Sequence, residues 1–151
     1  MANNVTRDDP YRSFNFRVEI DGTPIASFSE VSGLGVDGVP IDYREGLDPN
    51  NSVRKLVGLR KVSPLNFKRG YTKERSVFWD MYVLTATGQS TARRNGTVVL
   101  RDEAQNDVLF FHFTGGFINK VEGAHMLASG NEVAIESAEM VIETLTMKLA
   151  K

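Results

Sequence analysis

Cysteine is absent from the 151 residues, which excludes disulfides, thiolate metal sites and cysteine nucleophiles together. Stability must therefore come from packing or from assembly. Histidine occurs only twice. His112 lies between Phe111 and Phe113, His125 sits in a Gly-Ala-His-Met stretch, and their spacing fits no two-histidine metal motif. A Gly-x-Ser-x-Gly elbow and a phosphate-cradling Gly-Lys-Ser/Thr loop are also missing. No run approaches the roughly 18 uninterrupted apolar residues of a membrane-spanning helix. Met1 to Asp9 is polar, without the apolar stretch of a secretion signal. These features predict a soluble protein made in the cytoplasm, with no membrane anchor. A net charge of −1 gives no general attraction to nucleic acid.

The charges that are present are unevenly placed. Eight of the 18 basic residues (Arg54, Lys55, Arg60, Lys61, Lys68, Arg69, Lys73, Arg75) lie between positions 54 and 75, where Glu74 is the sole acid. From Asp102 to Glu143 eight acids face Lys120 alone. Two surfaces of opposite sign are expected, suited to setting the register of one copy on another. The same basic segment, Arg54 to Arg75, with Phe67 and Tyr71 among its cations, supports an alternative reading as a small ligand- or nucleic-acid-binding β-domain.

At 151 residues, 41% hydrophobic and 25% charged, the chain suits one domain spanning 1–151. Phe14, Phe16, Val18 and Ile20 alternate with Asn15, Arg17, Glu19 and Asp21, a half-buried strand ending at an Asp21-Gly22 hairpin turn. Ile25 to Ser32 would return beside it. Gly33-Leu34-Gly35-Val36-Asp37-Gly38 has the spelling of a dinucleotide-binding loop. That chemistry needs a helix opening at the last glycine. Val39-Pro40-Ile41 follows instead, so the glycines read as bends between extended segments.

Residues 44–61 form a polar stretch too long for a tight turn, and loops of that length are usually functional or disordered. Asp48-Pro49-Asn50-Asn51-Ser52 has some of the look of a calcium loop, but Val53 stands where glycine is needed and Leu59 where a bidentate glutamate is needed. Leu65 and Phe67 open a short strand. The one helix is expected over 73–85, capped by Thr72 with Glu74 in its first turn. Val77, Phe78, Trp79, Met81, Tyr82, Val83 and Leu84 leave it almost no polar face. Such a helix is buried on all sides, so Phe78, Trp79, Tyr82 and Val83 become candidates for contact with a neighbouring protomer. Thr97 to Leu100 and Val108 to Phe113 read as a hairpin joined by the turn Asp102 to Asp107.

The final segment is ambiguous. Glu132, Glu136, Glu139 and Glu143 fall at helical spacing and Ser129 with Glu132 spells a capping box. A strand works equally well if one extra residue at Ser137 forms a bulge, which would put all four glutamates on one face. Such a row could supply a general acid and base, but a solvated face or an aqueous lining is the commoner use.

Five ordered segments then point to a family: Phe28-Ser29-Glu30-Val31-Ser32-Gly33-Leu34, Tyr43-Arg44-Glu45-Gly46, Arg54-Lys55-Leu56, Phe67-Lys68-Arg69-Gly70, and Asn131-Glu132-Val133-Ala134-Ile135-Glu136-Ser137. Across about residues 10 to 145 the chain resembles the tail-tube proteins of contractile-tailed phages and of extracellular contractile injection systems. Departures are local: the family often reads Leu-Pro-Gly where Leu56-Val57-Gly58 stands, and often carries tryptophans near Phe111-His112-Phe113 and Gly116-Phe117-Ile118. They bear on the subfamily and not on the fold.

The resemblance implies a mainly β fold, a β-sandwich or small barrel with one α-helix and a long hairpin loop, without cofactor or catalytic residues. It implies an N-terminal arm over 1–12, and it settles the final segment as bulged strand. It further implies six-fold rings stacked into a hollow tube, with a contractile sheath, a baseplate, tube-terminating proteins and a cargo in the lumen as partners. The hairpin would reach the adjacent ring, placing Arg44, Glu45, Asp48, Arg54, Lys55, Arg60 and Lys61 at the inter-ring contact. Glu132, Glu136, Glu139 and Glu143 would then line the lumen, where negative charge repels DNA or acidic cargo, or else form an outer face under the sheath.

Overall fold

The computed structural model describes residues 9–25, 28–73, 77–88 and 92–150. The first strand, β1 (Phe16–Ile20), buries Val18 and Ile20 as its alternation requires. Asp21 and Gly22 both take positive φ, 51° and 77°, the backbone of a two-residue turn whose twist matches the strands it joins. The return is shorter than expected: β2 (Thr23–Ile25) pairs with β1, while β3 (Phe28–Ser32) pairs with a different strand, β8 (Leu65–Gly70). Strand β9 (Arg94–Arg101) joins β1 to β10 (Asp107–Glu122).

The β9–β10 hairpin is longer than the sequence suggests, because Asn95-Gly96 lies inside β9 and not in a turn. A Cβ on Gly96 would come within 2.4 Å of the Phe113 ring and 2.6 Å of the Glu19 carbonyl. The glycine is there to let an aromatic side chain cross the strand.

Strand β10 carries the architecture, since its two halves belong to different sheets. Its first half pairs with β9 on one edge and β12 (Thr144–Leu149) on the other. Its second half pairs with β11 (Ile135–Val141), which pairs in turn with β8. The break falls at Gly115 and Gly116. Gly115 has φ +65°, and a Cβ on Gly116 would meet the Met140 sulfur at 2.7 Å. One sheet is thus β2-β1-β9-β10-β12 and the other β10-β11-β8-β3, a sandwich in which one strand crosses between layers.

The final segment is strand, as the resemblance implies, but the bulge is elsewhere. β11 pairs with β8 in unbroken register from Ile135 opposite Gly70 to Met140 opposite Leu65. The extra residue lies on β10, between Ile118 and Lys120. Glu136, Ala138 and Met140 consequently point inward, and Glu139 points away from them.

The helix α1 is described over Val77–Ala86, one residue past the end of the expected 73–85. Residues 74–76, including Glu74, lie outside the described set, as do residues 1–8 of the N-terminal arm. Phe78 and Met81 face the core. The Phe78, Phe67 and Phe28 rings stand 5.4 Å apart in each pairing. Leu65, Ile118, Met140, Val18 and Phe113 complete this interior, each buried side chain contributing about 1.5–3 kcal/mol.

Between β3 and β8 the chain leaves the sandwich as a two-stranded ribbon. Strand β4 (Val36–Gly38) pairs with β7 (Arg60–Val62), and β5 (Ile41–Tyr43) with β6 (Arg54–Leu56). The projection therefore starts at Val36, not at Arg44. Gly33 permits the exit: its φ is +86°, and a Cβ there would lie 2.1 Å from the Pro64 carbonyl.

Candidate functional site

The surfaces that stand out are those whose apolar residues the protomer does not cover. On the ribbon, Leu47 is 96% exposed and Leu59 84%, and Val36, Val39, Ile41 and Val57 are also exposed. Its charged residues largely organise the ribbon itself. Asp48 accepts from Arg54 Nη2 at 2.9 Å and from the Glu45 amide at 3.0 Å. Arg44 donates to the Asn50 and Asp48 carbonyls, and Lys55 pairs with Asp42. Arg60 and Lys61 are exposed on β7, where Lys61 stands opposite Asp37.

These pairings divide the basic run. Lys68 meets Glu30 at 3.5 Å, and Arg69 meets Glu136 at 3.4 Å inside the sandwich. Arg54 and Lys55 are also paired within the ribbon, so among the described residues half of the basic run is already matched by carboxylates of the same chain.

The helix divides its four candidates. Trp79 is 55% exposed and touches Tyr82, with ring centroids 5.9 Å apart. Tyr82 and Val83 are exposed beside it. Positions 79, 82 and 83 form one stripe at helical spacing. Phe78 is a correction: it is 1% exposed and packs on Phe67 and Phe28, so it serves the protomer's own core. An even apolar distribution around a helix does not show which side the core takes.

The glutamate row is also corrected, because Glu132, Glu136, Glu139 and Glu143 do not share a face. Glu132 is exposed in the loop before β11, and Glu139 is half-buried on the outer side of β11. Glu143 sits at the kink, where Arg93 reaches it at 2.9 Å. Glu136 is fully inside, directly across β11/β8 from Arg69. Removing Glu136 would take from the buried Arg69 the carboxylate it faces, and a side chain only 2% exposed does not line a lumen. The signal that could have located it is the cationic Arg69 at an inward position of a Leu65-x-Phe67-x-Arg69 strand, which calls for an inward acid.

On the exposed face of the other sheet, Arg17 holds both Asp107 oxygens at 3.0 and 2.9 Å, and Arg101 adds a contact at 3.2 Å. Hydrogen bonding from Arg17 holds the Asp107 carboxyl below its ordinary range. The same bond raises Arg17. His112 contacts Thr97, directly opposite it on β9, at 2.8 Å, a cross-strand structural bond. Among the described residues no cluster of histidine and carboxylate side chains could hold a metal ion, and no helix is long and apolar enough to cross a membrane.

Residues 12–146 match the family described as T4-like virus tail tube protein gp19. The chain belongs to that tail tube family. Its role is that of a structural subunit of an inner tube. Solved tail-tube relatives share the fold over almost the whole chain at low identity. The cap that terminates the anti-feeding prophage tube aligns with TM-score 0.86 and 17% identity, covering 98% of this chain and 97% of that one. A chain of the extended sheath–tube complex of the PVC extracellular contractile injection system aligns with TM-score 0.82 and 18% identity, covering 93% of each. A chain of the six-fold symmetrised anti-feeding prophage baseplate gives TM-score 0.78 and 19% identity, covering 94% and 97%. No curated protein sequence matches the chain.

Proposed function

We propose that six copies of this chain close into a ring and that rings stack head to tail into a rigid hollow conduit, housed in a contractile sheath and bounded by a baseplate and a terminating protein. Sheath shortening drives the conduit through a target envelope with its cargo. The work is mechanical, with no bond chemistry. The observation that supports this best is the ribbon, whose strands, among the described residues, pair only with each other and whose apolar residues those residues leave uncovered. A monomer gains nothing from such a projection, and a stack gains an inter-ring contact. Ring closure has its own candidates in two unlike free edges of one sheet: β2, which is short and carries Pro24, and β12. Unlike edges suit a head-to-tail ring. The Trp79, Tyr82 and Val83 stripe would be covered in the same ring contact.

Electron microscopy of the purified protein tests this. Six-fold rings or hollow tubes are expected. A protein that stays monomeric at high concentration and beside baseplate components would overturn the reading and bring back a small binding domain built on Arg54 to Arg75.

A further inference from the structure

The ribbon needs a receiving surface, and the topology locates one. Strand β8 starts at Leu65, where the ribbon returns to the body, and ends at Gly70, which lies opposite Ile135 at the start of β11. The connection 123–134 between β10 and β11 is therefore at the far end of the same sheet from the ribbon. That connection also leaves apolar side chains uncovered. Met126 is 76% exposed and Val133 75%, with Leu127 also exposed. Together with Ala124, Gly130 and Ile135 they line an open groove of about 960 Å³.

Resting on the stacked-ring reading, we infer that the ribbon of one copy docks on the 123–134 connection of a copy in the next ring. Three observations converge on this pairing. First, head-to-tail stacking brings one end of a subunit against the opposite end of its neighbour, and these two features occupy opposite ends of one sheet. Second, length suffices: from Val36 to Tyr43 the ribbon extends ~25 Å at strand rise, slightly more than the ~20 Å of β8. Third, the chemistry matches. Both surfaces carry exposed apolar side chains among polar ones, the 123–134 connection holds Glu132 and no lysine or arginine, and the ribbon presents Arg60 and Lys61 beside Asp37. Burying Leu47, Val57 and Leu59 against Met126, Leu127 and Val133 would remove both uncovered patches at once.

The absence of native cysteine makes the test direct. Leu47→Cys with Met126→Cys, and separately Leu59→Cys with Val133→Cys, are assembled, checked by electron microscopy, and treated with a short bismaleimide. At least one pair is expected to give a ladder of linked subunits that continues beyond six, while each single-cysteine protein stops at dimers. Tubes that form normally yet give no ladder with either pair would overturn the docking site and leave the tube reading intact. Failure of the unsubstituted protein to form rings or tubes would overturn the tube reading itself, and the docking site with it. A second measurement needs no crosslinker: Met126→Asp with Leu127→Asp should retain rings and lose stacking, and normal tubes from that variant would count against the site.

Discussion

The sandwich and the ribbon are built from the same material and treat it oppositely. Val18, Leu65 and Phe67 alternate with polar neighbours and are wholly shielded. Val36, Ile41 and Leu56 also stand in paired strands, yet remain open to solvent. Strand pairing alone thus does not show where a side chain finds its cover. In the sandwich the cover is the second sheet and α1, within one chain. On the ribbon no described residue provides it. The sandwich accounts for the stability of the protomer, and under the proposed function the ribbon serves its association, so the two should respond separately to substitution.

The largest separation is expected at Phe67, where Phe67→Ala should cost about 3–5 kcal/mol in urea denaturation of the protomer. Glu136→Ala should fall in a similar range, about 3–5 kcal/mol, because Arg69 would stay buried without its partner. Replacing both, Arg69→Met with Glu136→Leu, should recover most of the loss. A double variant as unstable as the single one would mean that the pair is needed for something beyond charge balance. Gly96→Ala, which forces a methyl toward Phe113 and the Glu19 carbonyl, should cost about 1–3 kcal/mol, read as a lower melting temperature.

A smaller effect is expected at Asp107, whose carboxyl titrates below its ordinary 3.8. The stabilisation it provides is complete above that range and disappears as pH falls through the folded value, since the unfolded chain takes up the proton first. Asp107→Asn should flatten this part of the acid stability profile. The smallest effect on the protomer should come from Gly58→Ala. The added Cβ would sit 1.8 Å from the Val39 carbonyl across the ribbon, disrupting the ribbon while leaving the melting of the sandwich within about 0.5 kcal/mol. Tube formation, followed by electron microscopy, should nonetheless fail. A large drop in sandwich stability would show that the two regions are not independent.

The same division explains what could be read from the sequence. Alternation at Phe16, Val18 and Ile20 and the Asp21-Gly22 turn were legible because a half-buried strand leaves a period of two. The Leu65 and Phe67 strand was legible for the same reason. The β10 bulge was not, because Gly115-Gly116 and the adjacent apolar pair Phe117-Ile118 break the alternation set by Phe111 and Phe113 and leave no phase to follow. Glu136 was misplaced because four glutamates at near-regular spacing look like one set, whereas its partner Arg69 is distant in sequence. The start of the ribbon is not marked in the sequence, because Gly38 and Pro40 interrupt the alternation just after Val36, where its pairing begins.

One feature of the fold bears on how a conduit withstands a thrust. β10 is a single covalent strand shared by both layers, so the layers cannot slide past each other by shearing side-chain contacts alone. Sliding would have to bend a backbone that is laddered by hydrogen bonds above and below the Gly115-Gly116 kink. A subunit stitched in this way resists shear like a folded plate whose crease is continuous with both panels, and transmits an axial push with little loss to internal slip.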